Sequence, residues 1–149
     1  MYSFEGQSEP VQIATMLGLR NPGTFTPMKL ASAVEAGIPA EAAKRAVHKL
    51  DPTGSFVDIH RIVPRSTLAR RVAAKGRLDK DETSAVVRLL QVLLAAERLY
   101  HDRDEALDFL ARPHALLEMK APIEVAISTS VGADAVLDLI ASAEAGTAV

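Results

Sequence analysis

The sequence contains no cysteine, no tryptophan and only six Phe and Tyr residues in 149 positions. Without cysteine, the chain can form no disulfide, no thiolate zinc site and no cysteine nucleophile. No apolar stretch approaches the roughly 18 uncharged residues that a membrane span requires. The first ten residues, MYSFEGQSEP, also lack the basic region and apolar run of a secretory signal. We therefore expect a cytoplasmic protein that does not associate with membranes.

Sequence motifs of catalysis and metal binding are missing as well. No GxSxG, P-loop or GxGxxG pattern occurs. The four histidines show neither an HExxH spacing nor clustering with carboxylates: His48, His60, His101 and His114. Four carboxylates lie close together at positions 102, 104, 105 and 108. Most of them fall in the first turn of a predicted helix, where negative charge stabilises the helix dipole. We favour this structural role over that of a general-acid pair. We expect no enzymatic activity, no metal and no cofactor.

Charge is distributed unevenly along the chain, although the net charge is only −2. Residues 65–77 (RSTLARRVAAKGR) carry five basic side chains and no acidic one. Residues 102–149 carry three basic and nine acidic side chains. A polyanion could therefore bind the first segment, and a cationic protein surface could bind the second.

Helical periodicity predicts an all-α protein, since apolar residues recur at spacings of three and four and no sustained period-two alternation occurs. The longest predicted helix, 80–100, is apolar nearly all round, so it forms either the spine of the fold or a subunit interface. Capping signals and turns place the other helices near 10–17, 27–36, 39–50, 56–63, 66–75, 103–111, 122–129 and 133–145.

The basic segment has the pattern of a DNA-reading element. A short helix over 56–63, a turn at Val63-Pro64 and a second helix that starts at Ser66 resemble a helix-turn-helix. The N-terminal half of the second helix would meet base edges, and its C-terminal end would meet phosphates. A solvated cationic face, or a surface for an acidic protein, fits the sequence equally well. The predicted DNA-binding residues are Arg65, Ser66, Thr67, Arg70, Arg71, Lys75 and Arg77.

A series of residues between positions 65 and 146 has the order and spacing of a known protein family. They are the segments 65–71, 76–78, 81–82, 88–89, 109–110 and 132–133, together with Ala106, Pro113, Leu116, Pro122, Thr129 and Val136. On these residues the chain resembles, from residue 65 to residue 146, the Xre/MbcA/ParS-type antitoxins that pair with RES-domain toxins. The first 64 residues are similar only in outline, as the beginning of an Xre-like helical domain. Where the family commonly has a double glycine, this chain has Glu118-Met119.

The resemblance implies an Xre-like helix-turn-helix region over residues 1–77 and a helical toxin-binding domain over residues 78–149. It further implies that the chain inhibits a RES toxin, which degrades NAD or uses it for ADP-ribosylation, by covering the toxin's NAD pocket with the C-terminal region. An acidic partner face would suit a pocket lined with arginines. Glu144, Gly146, Ala148 and Val149 are expected near that pocket, with wider contacts from Ser130, Asp134, Leu137, Asp138 and Ala141.

Members of this family often repress their own operon, so operator DNA is a second expected partner. Two-fold operators require two recognition helices, which implies a homodimer within a larger toxin–antitoxin complex. The alternative function is that of a stand-alone helix-turn-helix transcriptional regulator.

Overall fold

The computed structural model describes residues 6–146, and every regular element in this range is helical. The predicted all-α class is therefore confirmed. Three single-turn 3-10 helices, Pro22–Thr24, Ile59–Arg61 and Ala115–Leu117, lie between the α-helices. The α-helices are α1 (Glu9–Met16), α2 (Pro27–Ala36), α3 (Ala40–Leu50), α4 (Arg65–Ala73), α5 (Lys80–Tyr100), α6 (Arg103–Ala111), α7 (Pro122–Ser128) and α8 (Ser130–Glu144).

The described residues divide into two compact units. Unit 1 contains residues 6–54 and 58–84, and unit 2 contains residues 55–57 and 85–146. The division falls inside α5, which contributes its first turn to unit 1 and the rest to unit 2. The division into functional regions at residues 77 and 78 stays a prediction.

In unit 1, the segment after α2 pairs with the segment that precedes α5. Leu78 N donates to Ile38 O over 2.9 Å, and Ala40 N donates to Gly76 O over 2.9 Å. Gly37 ends α2 with a φ of 82°, and a Cβ atom there would overlap the carbonyl oxygen of Leu78. Only glycine allows both this backbone conformation and this close approach.

A reciprocal capping box opens α5, as the spacing of Asp79 and Glu82 predicts. Glu82 N donates to Asp79 Oδ1 over 2.7 Å, and Asp79 N donates to Glu82 Oε1 over 2.9 Å. The next residue, the fully buried Thr83, accepts a hydrogen bond from Ile38 N through Oγ1 over 3.2 Å. The first turn of α5 is thus anchored to the segment after α2.

The part of α5 in unit 2 is the most deeply buried segment that the structure describes. Every apolar side chain from Ala85 to Ala96 is at most 7% exposed. Because this burial is complete within one chain, it favours a spine of the fold over a subunit interface for this segment. The helix α6 follows directly and begins as predicted, with Asp102 Oδ1 accepting from Glu105 N over 3.0 Å.

The predicted α-helix over residues 56–63 is wrong, because only the 3-10 turn Ile59–Arg61 forms there. Asp58 Oδ1 accepts from His60 N over 2.9 Å, so the turn begins only at Ile59. Pro64 disfavours helical geometry at the residue before it. The few residues between these two signals are too short a stretch for a stable α-helix. Residues 56–77 therefore do not form a helix-turn-helix from two successive α-helices.

Two helix beginnings also differ from the prediction. The helix α8 starts at Ser130, three residues before the predicted Ala133, because Thr129 caps it and Gly132 is accommodated inside the helix. The helix α4 starts at Arg65, and Pro64 occupies its N-cap position without a side-chain hydrogen bond, so Ser66 is not the cap.

Candidate functional site

A tight connection joins α7 to α8, with Thr129 as the single residue between them. Thr129 Oγ1 accepts from Gly132 N over 2.8 Å and so caps α8. At Gly132, an added Cβ atom would overlap the carbonyl oxygen of Val125 in α7. The two helices consequently pack at a distance that excludes any side chain at position 132.

The C-terminal end of α7 is held by a residue of α5. Arg88 Nε donates to Ala126 O and Arg88 Nη2 donates to Ile127 O, each over 2.8 Å. The guanidinium thereby satisfies two of the carbonyl groups that the last turn of α7 leaves without helical partners. Arg88 fixes the end of α7 and, through the one-residue connection, the start of α8.

One face of α8 is buried and the opposite face is exposed to solvent. The buried side chains are those of Ala133, Val136, Leu139 and Ile140. The sequence-predicted toxin contacts recur on the other face at helical spacing, and all are exposed except the half-buried Leu137: Ser130, Asp134, Leu137, Asp138, Ala141 and Glu144. We call these six residues the α8 face.

Every charged side chain of the α8 face is negative. The face contains three carboxylates, Asp134, Asp138 and Glu144, and residues 130–144 include no Lys or Arg. Gly146 follows the helix with a φ of 75° and is exposed. Ala148 and Val149 lie outside the described residues. The structure thus places six of the nine predicted contacts on one surface and a seventh, Gly146, directly after it.

A loop before α7 contains two exposed apolar residues that sequence reasoning did not select. Leu116 is 65% exposed and Met119 is 64% exposed. Glu118 and Met119 both adopt left-handed backbone conformations, with φ values of 56° and 61°. In the sequence, these two positions depart from the double glycine that the resemblance leads one to expect, which is the signal that could have identified the loop.

Two side chains of the basic segment have structural partners. The guanidinium of Arg71 forms an ion pair with Glu82, and Arg77 Nη1 donates to Gly37 O over 2.8 Å. Arg71 and Thr67 are half-buried, whereas the other five predicted DNA-binding residues of this segment are exposed: Arg65, Ser66, Arg70, Lys75 and Arg77. Two of the five cations therefore stabilise unit 1.

No group of three or more His, Asp or Glu side chains in residues 6–146 is arranged to hold a metal ion. Among the described helices, none has the length and apolar character needed to cross a membrane.

The described residues form an all-α protein whose C-terminal part is a small helical unit with an exposed anionic face on α8. Residues 95–146 match the family model of the antitoxin Xre/MbcA/ParS C-terminal toxin-binding domain. The resemblance to the Xre/MbcA/ParS-type antitoxins that the sequence predicts is thus confirmed over this third of the chain. The matched range includes α6, α7, α8 and the end of α5. No curated protein matches the chain.

Proposed function

We propose that this antitoxin binds and inhibits a RES-domain toxin and covers the toxin's NAD pocket with the α8 face and residues 144–149. The observation that carries the proposal is the α8 face, which is exposed, anionic and inside the matched toxin-binding domain. A pocket for NAD must attract a pyrophosphate, so cationic side chains are expected around it. The carboxylates of α8 complement such a rim.

Steric exclusion is the proposed mechanism of inhibition. Glu144 ends α8, and Gly146 follows with a φ of 75°, a left-handed conformation that commonly terminates helices. Small residues follow in the sequence, and a narrow cleft would admit them. NAD and residues 144–149 would then compete for the same space, without any chemistry performed by the antitoxin.

The test is a titration of NAD consumption with this chain in purified form, using the product of the adjacent gene as the candidate RES toxin. Asp138→Lys should raise the antitoxin concentration for half-inhibition by about tenfold or more, because it places a lysine of the antitoxin against the cationic side chains expected around the NAD pocket. Asp108→Lys, an equal charge change at an exposed position of α6, is the matched control and should leave inhibition unchanged. Deletion of residues 144–149 should permit binding and abolish inhibition. Full inhibition by that deletion variant would refute pocket covering.

Operator binding through α4 is a second proposed activity, and it would act as autorepression. The supporting observation is the exposure of Arg65, Ser66, Arg70 and Lys75 on and directly after a helix with a single buried residue, Leu68. Arg71 and Arg77 have partners inside unit 1, so they are weaker choices for DNA contacts. A homodimer would supply the second recognition helix that a two-fold operator requires.

A gel-shift titration with the promoter DNA of the operon tests this second activity. Arg70→Ala should weaken binding and reduce the slope of log affinity against log salt by about one unit, as expected for one lost phosphate contact. Lys44→Ala removes the same charge from an exposed position of α3 and serves as control. Equal shifts for wild type and Arg70→Ala would exclude α4 as the DNA-reading helix.

A further inference from the structure

The loop from His114 to Lys120, here called the 114–120 loop, has a defined conformation that its own backbone maintains. An isolated antiparallel bridge joins its two ends, with His114 N donating to Lys120 O over 3.1 Å. Leu117 N and Met119 N both donate to His114 O, over 2.9 and 3.0 Å. The backbone bonds thus close the loop on itself.

The side chain of His114 connects this loop to the rest of unit 2. Its Nδ1 accepts from Leu116 N over 3.1 Å and starts the 3-10 turn. Its ring lies edge-on to that of Phe109 in α6, with the centroids 6.1 Å apart. The ring of Phe109 in turn lies 5.6 Å from that of Tyr100. The loop is therefore built on a chain of aromatic contacts from α5 and α6.

The same loop exposes apolar surface at a conformational cost. Leu116 and Met119 are two of the four large apolar residues that are most exposed in the described range, and they lie three positions apart. Glu118 and Met119 both hold left-handed backbone conformations, which disfavour any residue with a Cβ atom. A strained backbone that exposes apolar side chains to water does not stabilise the isolated chain. Strained backbone and exposed apolar surface concentrate at binding sites.

We propose that Leu116 and Met119 form a second contact with the same toxin, by inserting into an apolar depression beside the site that receives the α8 face. This inference rests on the proposed function. The occupant is the toxin because the loop lies inside the matched toxin-binding range and its 3-10 turn contacts α8. Methionine is enriched at protein interfaces, where its flexible thioether adapts to the partner.

The test compares single variants in toxin binding and in thermal unfolding. Met119→Gly should weaken toxin binding by about ten- to a hundredfold, the range expected when one buried methionine is lost from an interface. Because glycine relieves the left-handed backbone, the same variant should unfold at an unchanged or higher temperature. A loss of binding without a loss of stability cannot come from misfolding.

Two controls separate the apolar contact from other effects. Glu118→Gly relieves the same backbone strain but keeps Leu116 and Met119, so its toxin affinity should stay within about threefold of wild type. Met28→Ala removes an exposed methionine of unit 1, which is 72% exposed, and should not change affinity.

Wild-type affinity for Met119→Gly and for Leu116→Ser would overturn the inference. If those variants bind normally while Asp138→Lys binds weakly, only this inference fails and the proposed function stands. A wild-type chain that does not bind the toxin refutes both. Loss of self-association in Met119→Gly, with toxin affinity intact, would assign the loop to a second copy of the chain and also overturn the inference.

Discussion

The α-carbon of Gly132 in α8 lies so close to the carbonyl oxygen of Val125 in α7 that a Cβ atom at position 132 would overlap this oxygen. The same Cβ atom would lie 3.0 Å from Val125 Cγ1 and from Thr129 Oγ1. These neighbours belong to the backbone and to short side chains that cannot move aside. The close approach of α7 and α8 thus depends on the glycine.

Gly132→Ala is predicted to destabilise the protein, although alanine is the better helix former by about 1 kcal/mol. The overlap forces α7 and α8 apart, and overpacking of this kind costs about 1 to 3 kcal/mol. Urea unfolding measures the difference. Gly23→Ala is the matched control, since nothing lies within 4 Å of its Cβ position. A Gly132→Ala variant as stable as wild type would contradict the close packing.

Neighbouring arginines of α4 are predicted to differ in their roles. Arg71 pairs with Glu82, and the two side chains are only 25% and 15% exposed, whereas Arg70 is exposed. Arg71→Ala should therefore lower the free energy of unfolding by about 1 to 2 kcal/mol. Arg70→Ala should change it by less than about 0.5 kcal/mol. A double-mutant cycle with Glu82→Ala should show coupling for Arg71 alone.

Arg88→Ala is predicted to loosen the α7–α8 pair. It removes both hydrogen bonds to Ala126 O and Ile127 O, and the expected loss of stability is about 2 to 3 kcal/mol. Amide hydrogen exchange should accelerate in α7 and at the start of α8. Arg98→Ala, at an exposed position of the same helix, is the control. Unchanged exchange in α7 would show that the guanidinium does not hold this helix in place.

Local capping chemistry made much of the fold predictable from sequence. Thr26, Asp79 and Asp102 each accept the predicted backbone N–H three residues later, and α2, α5 and α6 begin after them. The start of α8 was missed because Gly132 resembled a helix stop. Glycine is accommodated inside α8 because α7 packs against it at Val125. This tertiary contact cannot be predicted from the local sequence.

The candidate site was predictable only in part. Helical spacing placed the contacts of α8 on one face, because periodicity determines which residues share a side of a helix. The pairing of Arg71 with Glu82 depends on how α4 meets α5, so the charge pattern alone could not separate Arg71 from Arg70. The exposure of Leu116 and Met119 likewise depends on a loop closed by backbone hydrogen bonds and aromatic contacts, which no pattern of residue types reveals.

Inhibition by pocket covering is tested most directly by the NAD consumption of the product of the adjacent gene, the proposed RES toxin, measured alone and in its purified complex with this chain. Pocket covering predicts a stable complex that consumes no NAD, and full toxin activity once this chain is removed or loses residues 144–149. A stable complex that consumes NAD as fast as the free toxin would contradict inhibition by pocket covering.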